Sequence, residues 1–478
     1  MGPVPELDDR ATACARRLLE SDALLLASHI DADGLTSAAI ASTALERAGL
    51  AHEVVFKKQL DETEIASIAA TEYDTVLFTD FGSGQLDVIA THEQAGDFEP
   101  VIADHHQPAD AETAFHLNPL LEGINGASEL SGAGASYLLA RALGEETGTD
   151  NRDLAALAIV GAVGDMQAVD GELVGANRAI VEEGSEASVL EEGTDIAFYG
   201  KQTRPLPKLL EYASEVRVPG ITNNEKGAVG FLEELPVDLH IESNDEKEGE
   251  WRRWVDLTDD EKQTVASALL QRALERGVPP GKAERLVGTT YTLTEEEPGT
   301  TLRDASEFST LLNATARYER ADVGLAVCLG DRDAAFEQAR RLLENHRRNL
   351  SEGLEQVKRQ GVDSADYLQY FDAGTEIRET IVGIVAGMAL GVEGVDGSRP
   401  IIAFAEKNDE ETKVSARGTG RLVGQGLDLS QVMGEASRAV GGDGGGHDIA
   451  AGATIPTGEK ERFVEKADDI VGEQLDGE

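Results

Sequence analysis

Short apolar runs that break off at acidic residues constrain this chain more than any other feature. Ala23-Leu24-Leu25-Leu26-Ala27, Thr75-Val76-Leu77-Phe78 and Val101-Ile102-Ala103 have the length of buried strands and fall short of buried helices. Each runs at once into carboxylates or imidazoles: Ser28-His29-Ile30-Asp31-Ala32-Asp33-Gly34, Thr79-Asp80-Phe81 and Asp104-His105-His106. Helical stretches separate them, Leu35 to Ala48 ending at Gly49 and Glu62 to Ala70, with His52 to Phe56 as a further strand. This alternation predicts an α/β fold whose first domain is a doubly wound parallel sheet. In such sheets ligands sit beyond the carboxyl ends of the strands.

A fourth acidic element, Val163-Gly164-Asp165, ends a helical pattern from Arg152 to Val163, and another helix is expected from Gly134 to Leu143. Carboxylates converging on one place repel one another unless a cation holds them. His29, Asp31 and Asp33 alternate in a turn that Gly34 allows to close. Adjacent His105 and His106 point in different directions, so one can ligate while the other faces substrate. Oxygen donors with some imidazole suit Mn²⁺ or Mg²⁺ rather than thiolate-loving zinc. A lone Asp-x-Asp-Gly is equally a calcium turn or a solvated loop, and a lone strand-end His is more often a satisfied polar group. Four such elements together outweigh those readings. Six ligands can serve two metals if one carboxylate bridges, and two metals about 3.5–4 Å apart activate a water for in-line phosphoryl displacement. The expectation is a metal-dependent hydrolase.

Charge bears on the substrate. The 42 basic and 90 acidic residues leave a net charge of −48, spread over every segment rather than gathered in a tail. A diffuse excess of this kind points to a halophilic cytoplasm, where charge keeps the chain soluble. Molar salt shortens the Debye length to about 3 Å, screening the self-repulsion. The same salt removes most of the advantage of a basic face. The acidic balance therefore leaves a nucleic-acid substrate open, bound through metal, stacking and hydrogen bonds. Cys14 and Cys328 lack metal spacing and read as buried small hydrophobes in a reducing compartment. No signal pattern or membrane-length apolar run is evident, so a soluble cytoplasmic protein is expected.

Residues 1–195 are expected to form the catalytic domain, 196–299 an inserted α/β domain, 300–365 a return to the catalytic domain with a linker helix, and 366–478 a C-terminal α/β domain. In the insert, Ser243 to Trp254 is polar and mixed in charge, Thr258 to Arg276 is an amphipathic helix, and Trp251 and Trp254 are expected to pack a small core of its own, the sharper alternative being that they cap a binding surface. Asp333 to Lys358 is a long helix carrying Arg340, Arg341, Arg347 and Arg348, read as a linker or, more sharply, as a basic side facing a substrate strand. In the last domain the glycine-rich loop Gly441 to His447, with Gly444, Gly445 and Gly446, brings backbone N–H groups near phosphate oxygens. Paired with Arg417 on a preceding strand, it reads as a phosphate clamp.

These residues resemble the DHH phosphoesterase superfamily, whose name-giving motif is matched by Asp104-His105-His106. The C-terminal segment resembles the companion DHHA1 domain through Ser415-Ala416-Arg417 and Gly444-Gly445-Gly446-His447. The length, the insert and Asn313-Ala314-Thr315-Ala316-Arg317 resemble archaeal RecJ-type nucleases, including the GINS-associated type, with Ala316 standing where that pattern has glycine.

The resemblance implies that His29 and Asp31 hold one divalent metal, that Asp33, His105 and Asp165 hold the other, and that Asp80 bridges them. Mn²⁺ is the expected ion, with Mg²⁺ as the substitute. His106 would contact the scissile phosphate, and Asp104 would orient a neighbouring imidazole. Arg417, the glycines, His447 and, more weakly, Arg317 would bind substrate. The implied activity is a single-strand exonuclease, 5′ to 3′ on DNA or acting on RNA, in replication or repair, with GINS or another replisome protein as partner. Two other readings compete: a phosphodiesterase for oligonucleotides or cyclic dinucleotides, and a replisome scaffold resembling Cdc45.

Overall fold

The structure is a computed structural model that describes residues 2–213, 215–241, 250–392 and 394–476. It divides into two compact units, Met1–Arg340 and Arg341–Glu478.

The first unit is built on a five-stranded sheet of β1 (Ala23–His29), β2 (Ala51–Lys57), β3 (Thr75–Thr79), β4 (Glu99–Ala103) and β5 (His116–Leu117), in the order β2-β1-β3-β4-β5. Every pairing is parallel. The apolar runs occupy the central strands, where both faces are covered. Leu25, Ala27, Val76, Phe78 and Ile102 pack with Ile65, Ile68, Leu86 and Ile89 of the helices Glu62–Ala69 and Leu86–Ala95. Alternation sends the equally buried Leu24, Leu26, Leu77 and Val101 to the opposite face. The chain adds β2 on one side of β1, then crosses back to add β3 on the other. The β1/β3 boundary is thus a topological switch point, where open α/β sheets form their ligand crevice.

The strand and helix expectations hold with small shifts at the ends. The helix after β1 runs Ala32–Arg47, three residues earlier than expected, because the Asp31 carboxylate caps it by accepting from the Gly34 N–H at 2.9 Å. Helices Gly132–Thr147 and Ala155–Gly164 follow. Cys14 and Cys328 are buried and unpaired with each other.

Within the same unit the insert stands on an antiparallel ribbon of β6 (Leu190–Ile196) and β7 (Val287–Leu293). Between them come helices Leu206–Glu211, Glu225–Glu233, Asp259–Glu275 and Pro280–Ala283. Phe198, Leu209, Phe231, Trp254 and Leu269 form its core, with Trp251 partly buried against it. The polar stretch from Ser243 lies outside the described residues as far as position 249. One loop of the insert is tied to the helix Ala305–Arg317. The Gln202 N–H and the Thr203 hydroxyl donate to Glu307 at 2.8 and 2.6 Å, and Lys201 Nζ lies 3.2 Å from Asp304 Oδ2.

Helix Ala334–Gln360 carries the chain into the second unit. This unit has a six-stranded sheet of β8 (Asp363–Ser364), β9 (Gln369–Asp372), β10 (Ile401–Glu406), β11 (Glu411–Arg417), β12 (Asp443–Gly446) and β13 (Ala450–Pro456), in the order β12-β13-β11-β10-β9-β8. The glycine-rich segment read as a loop is largely strand: Asp443–Gly446 pairs antiparallel with β13. Close packing explains it, because a Cβ on Gly444 would stand 2.7 Å from Ala453 Cβ and 2.9 Å from the Met433 carbonyl oxygen. Among the described residues no helix is long and apolar enough to cross a membrane.

Candidate metal centre

The three strand-end elements meet at the switch point. His29 ends β1, and Asp31 and Asp33 flank the start of the following helix. Asp80 follows β3 and Asp104 follows β4. Asp165 caps the end of helix Ala155–Gly164. His29, Asp31 and Asp80 form one group able to hold a metal ion, and Asp33, His105 and Asp165 form another. In each, one ligand atom per residue lies within 4.8 Å of the others.

Asp80 stands between the two groups. Its Oδ2 is 3.5 Å from His29 Nδ1 and its Oδ1 is 3.4 Å from His105 Nε2. It is 2% exposed and its backbone is left-handed, with φ 59°. A non-glycine residue in that region stores strain and needs its surroundings to hold it. Here the Asp80 N–H donates to the Ala103 carbonyl at 3.0 Å. On the other side Gly132 leaves room, since a Cβ there would lie 2.3 Å from Asp80 Oδ1.

Asp33 is gripped by the start of helix Gly132–Thr147. Its Oδ2 accepts from the Gly132 N–H at 2.7 Å and its Oδ1 from the Ala133 N–H at 2.9 Å, a helix N-terminus holding an anion. His29 Nδ1 lies 3.1 Å from Asp31 Oδ2. His105 donates its Nδ1 proton to the Gly126 carbonyl at 2.7 Å, which leaves Nε2 aimed at Asp80, Asp165 (3.8 Å) and Asp33 (3.9 Å).

The electrostatics show crowding. Burial, then the charges of Asp80 and Asp165, push Asp33 well above the ordinary carboxylate range. Burial also raises Asp165. Burial works to raise Asp80, but hydrogen bonds with His105 and His29 outweigh it and hold that carboxylate low. Burial would depress both imidazoles, yet the carboxylates around them push His29 and His105 up to about 11. Excess negative charge therefore collects at this spot. The donors are carboxylate oxygen and imidazole nitrogen without a thiolate, a set that fits hard divalent ions such as Mn²⁺ or Mg²⁺.

Asp104 and His106 form, with Asp80 and His105, a third group whose ligand atoms lie within 4.8 Å of one another. Asp104 is fully buried, and its Oδ2 accepts from the Ser83 N–H at 2.9 Å. His106 donates its Nδ1 proton to Asp104 Oδ1 at 2.8 Å, and its ring is half-exposed. Burial would raise Asp104, but the His106 bond lowers it to about 2, and that same bond raises His106. With Nδ1 bonded to Asp104, Nε2 is the remaining ring nitrogen of this half-exposed side chain.

The expected clamp residues are distributed otherwise. In the second unit, Arg417 ends β11 opposite Ala450 of β13, and Gly446 of β12 pairs with Ala451. Arg417 and the glycine strand therefore share one end of the sheet. The Arg417 guanidinium lies against Gly383, where a Cβ would be 2.6 Å from its Nη2. His447 is exposed in the β12–β13 turn, and its N–H donates to the Ala450 carbonyl at 2.9 Å. In the first unit, Arg317 is the exposed last residue of helix Ala305–Arg317.

The sequence assigns no role to three supporting residues, although Asn313 opens the Asn313-Ala314-Thr315-Ala316-Arg317 segment. Asn313 Oδ1 accepts from the Ala32 N–H at 3.1 Å, holding the turn between Asp31 and Asp33. Gln167 and Asn177 lie behind Asp165. For this pair the only hint is the position of Gln167, two residues past an acidic element.

Comparison with known proteins follows this architecture along the chain. Residues 24–162 match the DHH family N-terminal domain, 198–287 the DHH-CID domain and 366–473 the DHHA1 domain. An uncharacterized protein of Methanocaldococcus jannaschii is 30% identical over 456 residues, which cover 94% of this chain and 93% of that protein. The chain belongs to the DHH family. Among solved structures, exonuclease RecJ bound to manganese superposes with a TM-score of 0.61 at 18% identity, covering 99% of this chain and 96% of that one. Thermus thermophilus RecJ in complex with Mn²⁺ gives 0.60 at 18% identity over 98% of this chain, which spans only 55% of that longer protein. CDC45 from Entamoeba histolytica gives 0.62 at 10% identity, covering 98% and 99% of the two chains. These likenesses establish a shared fold.

Proposed function

We propose that this DHH-family chain is a metal-dependent phosphodiesterase, a single-strand exonuclease acting 5′ to 3′ on DNA in replication or repair. The observation that carries the reading is Asp80, whose two carboxylate oxygens face the imidazoles of His29 and His105 at 3.5 and 3.4 Å, one in each group. A carboxylate so placed suits a bridging ligand, with His29 and Asp31 on one side and Asp33, His105 and Asp165 on the other. A pair of divalent ions, Mn²⁺ in preference to Mg²⁺, would supply an activated water and charge stabilisation at the phosphate. His106, steadied by Asp104, offers Nε2 to the scissile phosphate and can pass a proton to the leaving oxygen. Arg417, the Gly444–Gly446 strand and His447 bind the substrate strand, with Arg317 assisting. The manganese-bound RecJ relatives support the choice of ion, and the acidic composition supports work in a haloarchaeal, high-salt cytoplasm.

A replisome scaffold is the second reading, favoured by the likeness to CDC45 over nearly both full chains. Docking on GINS or another replisome protein is compatible with either. Terminally labelled single strands of DNA and RNA, incubated with Mn²⁺ in high KCl, separate the two. Stepwise release of nucleotides supports the exonuclease. An intact substrate at every metal concentration leaves the scaffold.

A further inference from the structure

Behind the second ligand group lies a buried amide pair to which the proposed chemistry assigns no part. Gln167 is 1% exposed. Its Nε2 stands 2.9 Å from Asp165 Oδ2, 2.8 Å from the Gly126 carbonyl and 3.3 Å from the Leu130 carbonyl. Its Oε1 accepts from Asn177 Nδ2 at 2.7 Å, and Asn177 is fixed in turn on helix Gly175–Glu186 by its N–H to the Glu129 carbonyl at 2.7 Å.

The amide orientation follows from its neighbours. Turned over, Gln167 would aim its oxygen at three acceptors in a buried place, and such unpaired contacts are costly. The NH₂ group therefore faces Asp165 and Gly126. The Gly126 carbonyl is shared, since it also accepts the His105 Nδ1 proton at 2.7 Å. One carboxamide thus touches two elements that aim ligands: it bonds the Asp165 carboxylate directly, and it meets the carbonyl that sets the His105 tautomer.

Backbone geometry serves the same end. Met166, between Asp165 and Gln167, is left-handed with φ 56° and 86% exposed. The strained turn sends Met166 outward and returns Gln167 to the interior two residues after Asp165. A strained non-glycine residue persists where its surroundings over-determine it. Here the fixed points on either side are Asp165 and the Gln167–Asn177 bond.

We infer that Gln167, held by Asn177, is a positioning residue that aims Asp165 and His105 at the divalent cation of the Asp33–His105–Asp165 group, leaving the His29–Asp31 group untouched. The inference rests on the metal-binding reading proposed above. Partners that orient metal ligands from behind typically contribute 10–100-fold to affinity.

The test is a calorimetric titration of the full chain with Mn²⁺ in high KCl, for the parent, Gln167→Leu and Asn177→Ala, beside thermal melts of each after chelation. The parent is expected to take up two ions. Gln167→Leu should weaken one of the two sites by about 10–100-fold and spare the other, while its chelated melt falls below the parent's because buried partners of the amide are left unpaired. Asn177→Ala keeps the Gln167 amide and should weaken the same site less. Equal loss at both sites, or parent-like affinity at both, overturns the positioning role while leaving the metal reading intact. A parent that binds no Mn²⁺ overturns the metal reading and this inference with it. If Gln167→Leu does not fold, Asn177→Ala decides alone: about 10-fold weakening of one site supports the role, and unchanged affinity overturns it.

Discussion

His105 Nε2 lies 3.4 Å from Asp80 Oδ1, although the two residues come from the ends of different strands and Asp80 must adopt φ 59° to reach. The pair joins the two ligand groups, so it is where substitution should be most selective. Asp80→Asn tolerates the left-handed backbone better than most replacements, and it removes the charge and one of the two facing oxygens while keeping the shape. Hydrolysis should fall by more than about 100-fold, beyond what orienting partners usually contribute. The chelated protein should keep the parent's circular dichroism. Near-parental turnover would contradict the bridging role of Asp80.

Metal removal gives a second expectation. A cation bound only by the folded state stabilises it by RT ln(1 + [L]/Kd), roughly 4 kcal/mol at a thousandfold excess over Kd. Thermal melts should therefore rise on adding Mn²⁺ to chelated protein, and the rise should disappear in Asp80→Asn. Exhaustive chelation should abolish hydrolysis, and full activity without metal would contradict the account.

Much of this centre is legible in the sequence, for a physical reason. A strand covered on both faces must be apolar, so a carboxylate at its end marks the place where it emerges. His29, Asp31, Asp33, Asp80 and His105 come together as that logic implies, and Asp165 joins them from the end of a helix. What holds them does not show. Asp33 is fixed by the N–H groups of Gly132 and Ala133, far along the chain, and backbone donors carry no residue signature. Gln167 and Asn177 are single amides without periodicity. The strand Asp443–Gly446 was hidden because glycine lacks β propensity, while its close approach to Ala453 and Met433 requires glycine.

The second unit yields a separate expectation. Arg417→Ala and His447→Ala should each raise KM for a single strand by about 10-fold or more, in line with the roughly 1.5–3 kcal/mol of a charge-assisted contact. Metal affinity measured by calorimetry should not change, because neither residue belongs to the ligand groups. Unchanged KM in both variants would move substrate binding elsewhere.

Glu307 links the insert to the helix that carries Asn313, and it makes stability depend on pH. Burial raises its pKa from 4.5 to about 7, against the opposing bonds from Thr203 and Gln202. Between those values the folded state holds a proton that the unfolded state has released. Stability therefore falls as pH rises from 4.5 to about 7. At about 1.4 kcal/mol per pKa unit the effect is of the order of 3 kcal/mol. Glu307→Gln should flatten this part of the curve and raise the melting temperature near about pH 8. A variant with the parent's full slope would show that Glu307 is not its source.

End-labelled linear and circular single strands of one DNA sequence, incubated with Mn²⁺ in high KCl, decide whether this metal centre is an end-dependent exonuclease. The expected result is stepwise loss of nucleotides from the 5′ end of the linear strand, an intact circle, and no reaction after chelation. Cleavage of the circle at a comparable rate, or hydrolysis that survives chelation, would contradict it.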